Sequence, residues 1–265
     1  MSAATLGTVP ESAYELGDLV EDFSVDRQEL WFNLLCIPPL LGLAAWMVYA
    51  RVPNLLAPQS SVELLTLAGG SLFVLGGIAW GVATIGKGYR SREMRVLVFE
   101  EGFVSFRPDG VFACRWDEID WTCEGLYHKL MAQVRVLSVQ CRSGQIWKLS
   151  RDTEMVRNFP RLIELIERKV AEQLLPGASD QLWEGHTLEF GQLKLSRDGI
   201  IHGSHLLPWA EVKAVHEEQF RVTIEQSGAY LTWAAIATGD VTNKRLMLEL
   251  ASELGTNVTW DIERA

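Results

Sequence analysis

The chain has 265 residues, is 48% hydrophobic and 22% charged, and carries a formal net charge of −10. That length is enough for one or two globular domains. No segment is basic along its length, and neutralising phosphates takes clustered Lys and Arg, so the composition excludes nucleic acid as a general partner.

The first 29 residues hold seven acids (Glu11, Glu15, Asp18, Glu21, Asp22, Asp26, Glu29) against Arg27. Such a composition predicts an acidic, disordered tail over 1–29. Residues 31–50 and 64–86 then contain no charge at all. Each run is long enough to cross a hydrocarbon core of about 30 Å as a helix. Residues 30–87 therefore read as a transmembrane helical hairpin in a lipid bilayer, with Pro38 and Pro39 kinking its first helix. Lys87, Arg90, Arg92 and Arg95 follow the second run, whereas the connection holds only Arg51. The positive-inside rule predicts a two-pass cell-membrane protein with both termini cytoplasmic. The same four cations are candidates for contact with anionic lipid. Gly77 and Gly81 form a GxxxG spacing. It allows close helix packing, either between copies in a homo-oligomer or within the hairpin. Neither run has an ionisable residue between its ends, which argues against an ion-coupled transporter.

From residue 94 the pattern changes to short alternating runs, the mark of strands. Arg95–Glu100 and Phe103–Arg107 flank the turn at Glu101-Gly102, and Pro108-Asp109-Gly110 is a further turn. Val111–Trp116 and a strand around Ile119–Cys123 follow. Gln133–Arg142 and Gln145–Leu149 make a hairpin across Ser143-Gly144. An amphipathic helix over about 153–175 carries Phe159, Leu162, Ile163, Ile166, Val170 and Leu174 on one face, and Pro176-Gly177 ends it. This gives a first domain over 94–177.

The order then recurs in a second domain over 184–262. Leu193–Ile200 aligns with Val96–Phe103, Trp209-Ala210-Glu211-Val212 with Trp116-Asp117-Glu118-Ile119, Arg221-Val222 with Arg135-Val136, and Ser227-Gly228 with Ser143-Gly144. The second copy closes on a helix marked by Leu246, Leu250 and Leu254. The differences in spacing fall in turns, so these anchors predict an internal repeat. Trp116 and Trp209 are predicted core residues.

Two apolar runs, a strand–Glu-Gly–strand unit, Trp-Asp-Glu-Ile at 116–119, a helix ending Leu-Leu-Pro, Phe-Gly-Gln-Leu-Lys-Leu-Ser-Arg-Asp-Gly-Ile at 190–200 and Pro-Trp-Ala-Glu-Val at 208–212 follow in order. Together they resemble a bacterial family of uncharacterised membrane proteins with a tandem pleckstrin-homology-like (PH-like) region, over about residues 30–255. The resemblance implies an α+β fold with membrane helices: an N-terminal two-helix transmembrane hairpin followed by two PH-like β-barrel/α-helix repeats. It implies no activity and no catalytic residue.

The residues themselves carry little chemistry. Cys36, Cys114, Cys123 and Cys141 form no CxxC pair and no zinc spacing, and read as small buried side chains in a reducing compartment. His202 and His205 share a short loop but have no flanking ligands at a useful spacing. Glu100-Glu101 and Glu217-Glu218 read as solvated turn residues. No phosphate-cradling glycine loop and no GxSxG elbow occurs, so neither enzyme activity nor a cofactor is expected. The turn where PH domains place a basic cup is acidic here, Glu100-Glu101. The expectation is a membrane-tethered cytoplasmic adaptor or scaffold for a protein or peptide. The alternatives are an anionic-lipid-sensing module and, third, a small oligomeric transporter subunit.

Overall fold

In the computed structural model the described residues are 16–24, 42, 76, 79, 86, 94–108, 110–129, 132–150, 156–218, 220–255 and 258–259. The chain divides into two units, one made of Met1–Ser24 with Arg95–Ala265, the other of Val25–Met94. Within the second unit, Gly42, Gly76, Ala79 and Gly86 are helical and exposed.

The first unit is built from two successive β modules. In module 1, β1 (Leu19–Ser24), β2 (Arg95–Phe99), β3 (Gly102–Arg107) and β4 (Gly110–Arg115) form an antiparallel sheet in that order. β1 lies in the acidic stretch expected to be disordered. It is tied to β2 by pairing of Phe23 with Val96 and by the bidentate ion pair of Asp22 with Arg95, at 2.8 and 2.7 Å. Phe23 points into the core, so one apolar residue and one placed acid outweigh the local composition. A 3₁₀ turn at Trp116–Glu118 then redirects the chain into a second antiparallel sheet, β5 (Ile119–Lys129), β6 (Ala132–Cys141) and β7 (Ile146–Ser150). Helix α1 (Phe159–Trp183) follows.

Module 2 repeats this order. β8 (Leu188–Phe190), β9 (Leu193–Ser196), β10 (Gly199–His202) and β11 (His205–Pro208) make its first sheet. A 3₁₀ turn at Trp209–Glu211 leads into the second, β12 (Val212–Glu218), β13 (Arg221–Gln226) and β14 (Thr232–Ala237). A third 3₁₀ turn, Thr238–Asp240, precedes helix α2 (Lys244–Glu253). β15 (Val258–Thr259) returns to the outer edge of β12, in parallel. The two tryptophans of the repeat do the same work in each copy. Trp116 Nε1 donates to the Glu100 carbonyl at 3.0 Å, and Trp209 Nε1 to the Ser196 carbonyl at 3.0 Å. Each indole thereby pins the sheet-to-sheet bend to the preceding hairpin. Trp116 is buried, whereas Trp209 is half-buried against the second core.

Helix α1 belongs to both modules. Phe159, Leu162, Ile163, Leu165, Ile166 and Val170 pack in the first core; Ala171 and Leu182 pack in the second, and Leu174 touches both. At 25 residues it is about 37 Å long. Pro176-Gly177, expected to end it, sits inside it. An interior proline removes a backbone hydrogen bond, but Leu175 just before it and Ala178 and Leu182 beyond it pack on the second core. That burial offsets the lost bond.

The expected α+β fold with membrane helices is corrected. The described chain is mostly antiparallel sheet with two α-helices, and none of its described helices is long and apolar enough to cross a membrane. α1 has the length, but Arg161, Glu164, Glu167, Arg168, Lys169 and Glu172 line it, and several such charges forbid a hydrocarbon environment. Apart from Gly42, Gly76, Ala79 and Gly86, the hairpin expected over 31–50 and 64–86, with Gly77, Gly81, Lys87, Arg90 and Arg92, lies outside the described residues. The two-pass cell-membrane topology with cytoplasmic termini is accordingly not supported.

Candidate binding edges at the junction of the two modules

In each module the strand that follows the tryptophan turn stands at the edge of its sheet, next to the module's own helix. These edges are β5 and β12, and in both cases another part of the chain has been laid on it.

On β5 the occupant comes from module 2. Asn243 sits just before α2 in the left-handed region, φ 46°, which an Asn tolerates better than most residues. That conformation lets it grip β5 with both backbone and side chain. Its N–H donates to the Thr122 carbonyl at 2.7 Å. Its Oδ1 accepts from the Thr122 N–H at 2.8 Å, and its Nδ2 donates to the Asp120 carbonyl at 3.2 Å. The Cys123 thiol reaches the Gly239 carbonyl at 3.2 Å. A β-carbon on Gly239 would stand 3.1 Å from the Gly125 Cα, so the two backbones meet at their glycines.

The next residue, Lys244, carries the only charged side chain of α2 that is buried among the described residues. Its ammonium lies 2.6 Å from Glu217 of β12, 3.1 Å from Glu124 of β5 and 3.4 Å from Glu167 of α1. Glu124 also pairs with Arg135 of β6. Lys244, Glu124 and Glu167 are all under one-tenth exposed. Three carboxylates thus face two cations in a site drawn from both modules. Burial raises the Glu167 carboxyl to about 7, Lys244 opposes that, and the neighbouring Glu124 and Glu217 add to it. Glu167 Oε1 is buried without a hydrogen-bond partner. Burial works against charge on Glu124 too, but Lys244 and Arg135 together hold it below the ordinary carboxylate range. For Lys244, burial is outweighed by Glu167, Glu124 and Glu217, which hold it charged. A proton on Glu167 makes the whole cluster neutral, the cheapest state for buried charge.

On β12 the occupant is β15. Val215 pairs with Val258 and His216 with Thr259. No other strand among the described residues uses that edge.

The residues singled out from the sequence fall elsewhere. Arg95 spends its charge on Asp22, whose hydrogen bond raises the guanidinium pKa. Cys114 and Cys141 are buried together in the first core, where burial pushes both thiols up; burial takes Cys123 up to about 11. His202 and His205 face each other at the end of the β10–β11 hairpin. Among the described residues no group of three His, Cys, Asp or Glu side chains is placed to hold a metal ion. Glu217, read as a solvated turn residue, is instead on β12 and against Lys244. The cluster had a signal in the sequence: Glu167 is four residues from Ile163 and falls on the apolar stripe of α1.

Residues 8–259 match a family described as "Family of unknown function (DUF6585)". The chain belongs to this family. The match spans both modules and the segment between β1 and β2, so the DUF6585 unit is the whole tandem array and not one module. It supports neither the membrane helices nor the PH-like region of the resemblance drawn from the sequence. No curated protein matches this DUF6585 member.

Proposed function

We propose that this DUF6585 protein is a non-catalytic scaffold that binds a protein or peptide partner at a sheet edge beside a helix. One observation supports the reading above the others. The same place in each module, β5 and β12, takes up a polypeptide segment from outside its own sheet. An exposed edge recruits a segment through main-chain hydrogen bonds, with neighbouring side chains setting specificity. The order of four strands, three strands and a helix in each module supports reading the modules as PH-like. The buried cluster does not argue for catalysis, because Lys244 is held charged and surrounded by acids.

The test is crosslinking of the intact chain in its source cells, followed by purification and mass spectrometry. The expected result is a stoichiometric protein partner with crosslinks along β5 or β12. Recovery of the chain by itself, or with lipid as its only companion, overturns the scaffold reading.

A further inference from the structure

The partners of Lys244 come from both modules. Glu217, the nearest, stands on β12 of module 2, Glu124 on β5 of module 1, and Glu167 on α1, which packs in both cores. Cys123 and Glu124 of β5, Glu217 of β12 and Lys244 of α2 act on Glu167. Asp240 of the third 3₁₀ turn lies close to Cys123, and Arg135 of β6 pairs with Glu124 from behind. His216, next to Glu217 on β12, reaches Glu225 of β13 at 3.6 Å. Glu167 meets the ammonium through Oε2, while its Oε1 is buried without a hydrogen-bond partner. An unpartnered buried oxygen costs far less on a neutral carboxyl than on a carboxylate. Ionised, Glu167 also makes the third carboxylate against the two cations Lys244 and Arg135.

We propose that the Lys244 cluster is a proton-operated latch between the modules: with a proton on Glu167 it holds the start of α2 against β5, and loss of that proton releases the grip of Asn243 on Thr122. The cores need not part for this to happen. Helix α1 packs in both of them, and Leu246, Met247, Leu248 and Leu250 keep α2 seated in the second. Release therefore lifts only the stretch around Gly239–Asn243 from β5. The direction follows from linkage. In the closed latch the Glu167 carboxyl titrates at about 7, and once released into water it titrates near 4.5. Between those values opening lets a proton go, so the open fraction rises about ten-fold per pH unit and levels off above about 7. Glu124 is held below the ordinary carboxylate range, Cys123 is up at about 11 and Lys244 is held charged, so none of these changes state in that window. The latch does not depend on what the scaffold binds.

Two amides report on the latch directly, because both are bonded across it: the Thr122 N–H donates to Asn243 Oδ1 and the Asn243 N–H to the Thr122 carbonyl. The experiment is hydrogen exchange of the full chain, read by mass spectrometry at pH 5, 6, 7 and 8, with each rate divided by its intrinsic rate at that pH. Peptides covering Leu137 and Val139, and Leu193 and Leu195, report on the two cores. Protection at Thr122 and Asn243 is expected to fall about ten-fold per unit from pH 5 to 7 and to change little from 7 to 8. The core amides should stay at least about ten-fold better protected throughout, since the latch opens without global unfolding. Glu167→Gln mimics the protonated carboxyl and should show flat protection over the whole range, with His216 still in place. Glu217→Gln leaves two carboxylates against two cations, so its protection should be flat from pH 6 to 8. Circular dichroism establishes that each variant is folded, and Glu217→Gln decides alone if Glu167→Gln is not. Protection at Thr122 and Asn243 equal to that of the cores, protection in the parent that ignores pH, or the parent's pH dependence surviving in the folded variants overturns the proposal.

Discussion

The two edge strands differ in what covers them. β5 is closed by three hydrogen bonds from Asn243, by a glycine-to-glycine backbone contact and by a lysine shared among three carboxylates. Among the described residues β12 is covered by Val258 and Thr259 of β15. The same position in a repeated module has therefore become a joint held by buried charge in one copy and a strand pairing in the other. A duplicated site need not keep one role: once a neighbour occupies it through buried charge, displacing that neighbour means stranding the charge.

The comparison breaks most severely at Lys244. Lys244→Met removes the cation that Glu124, Glu167 and Glu217 share and is expected to destabilise the unit by about 3–5 kcal/mol, the usual cost of breaking a buried ion pair. Urea unfolding measures it. Adding Glu167→Gln to that variant should recover part of the loss, since one stranded carboxyl is then neutral.

Next in size is the response to pH. The unfolded Glu167 carboxyl is ordinary, near 4.5, and the folded one is about 7. Between those values the folded chain holds a proton that the unfolded chain has released. The stability this group contributes is full below about pH 4.5 and is lost as pH rises through about 7. One pKa unit is worth about 1.4 kcal/mol, which bounds the loss at about 3 kcal/mol. Glu124, held low, acts in the opposite sense: its contribution is present above the ordinary carboxylate range and is lost as pH falls through its lowered folded value. Unfolding midpoints measured from pH 5 to 8 should therefore fall in the parent and stay nearly flat in Glu167→Gln.

Asn243→Ala should cost about 2 kcal/mol, combining lost hydrogen bonds with the strain of alanine at φ 46°. Glycine at the same position should cost less, because the strain is absent. Gly239→Ala should cost about 1 kcal/mol, since its methyl would crowd Gly125 at 3.1 Å. The smallest stability effect is expected at β15. Val258→Pro with Thr259→Pro should lower the unfolding free energy by less than about 0.5 kcal/mol in urea unfolding. A large loss of stability there would make β15 structural and erase the contrast with β5.

Much of the fold was legible where local chemistry is strong. The turns at Glu101-Gly102 and Ser143-Gly144, the paired Trp-x-Glu segments and the amphipathic face of α1 correspond to observed bends, hairpins and packing. β1 was not legible, because its acids dominate the local composition and its pairing partner lies some seventy residues away in the chain. The continuation of α1 through Pro176 was hidden for a similar reason: the residues that hold it are in another module. Membrane anchoring was read from the length and charge of two apolar runs, and the described helices follow a different rule, one apolar stripe against a sheet.

Sequence alone determined the alternation, the turns, the repeat of anchors and the apolar stripes, because each depends on neighbours a few residues apart. Only the tertiary structure decided which acids are buried, that Lys244 gathers Glu124, Glu167 and Glu217 from three different elements, and that β5 and β12 are covered by unlike segments. Charge burial and edge occupancy depend on which distant segments meet in space, and no local pattern encodes that meeting.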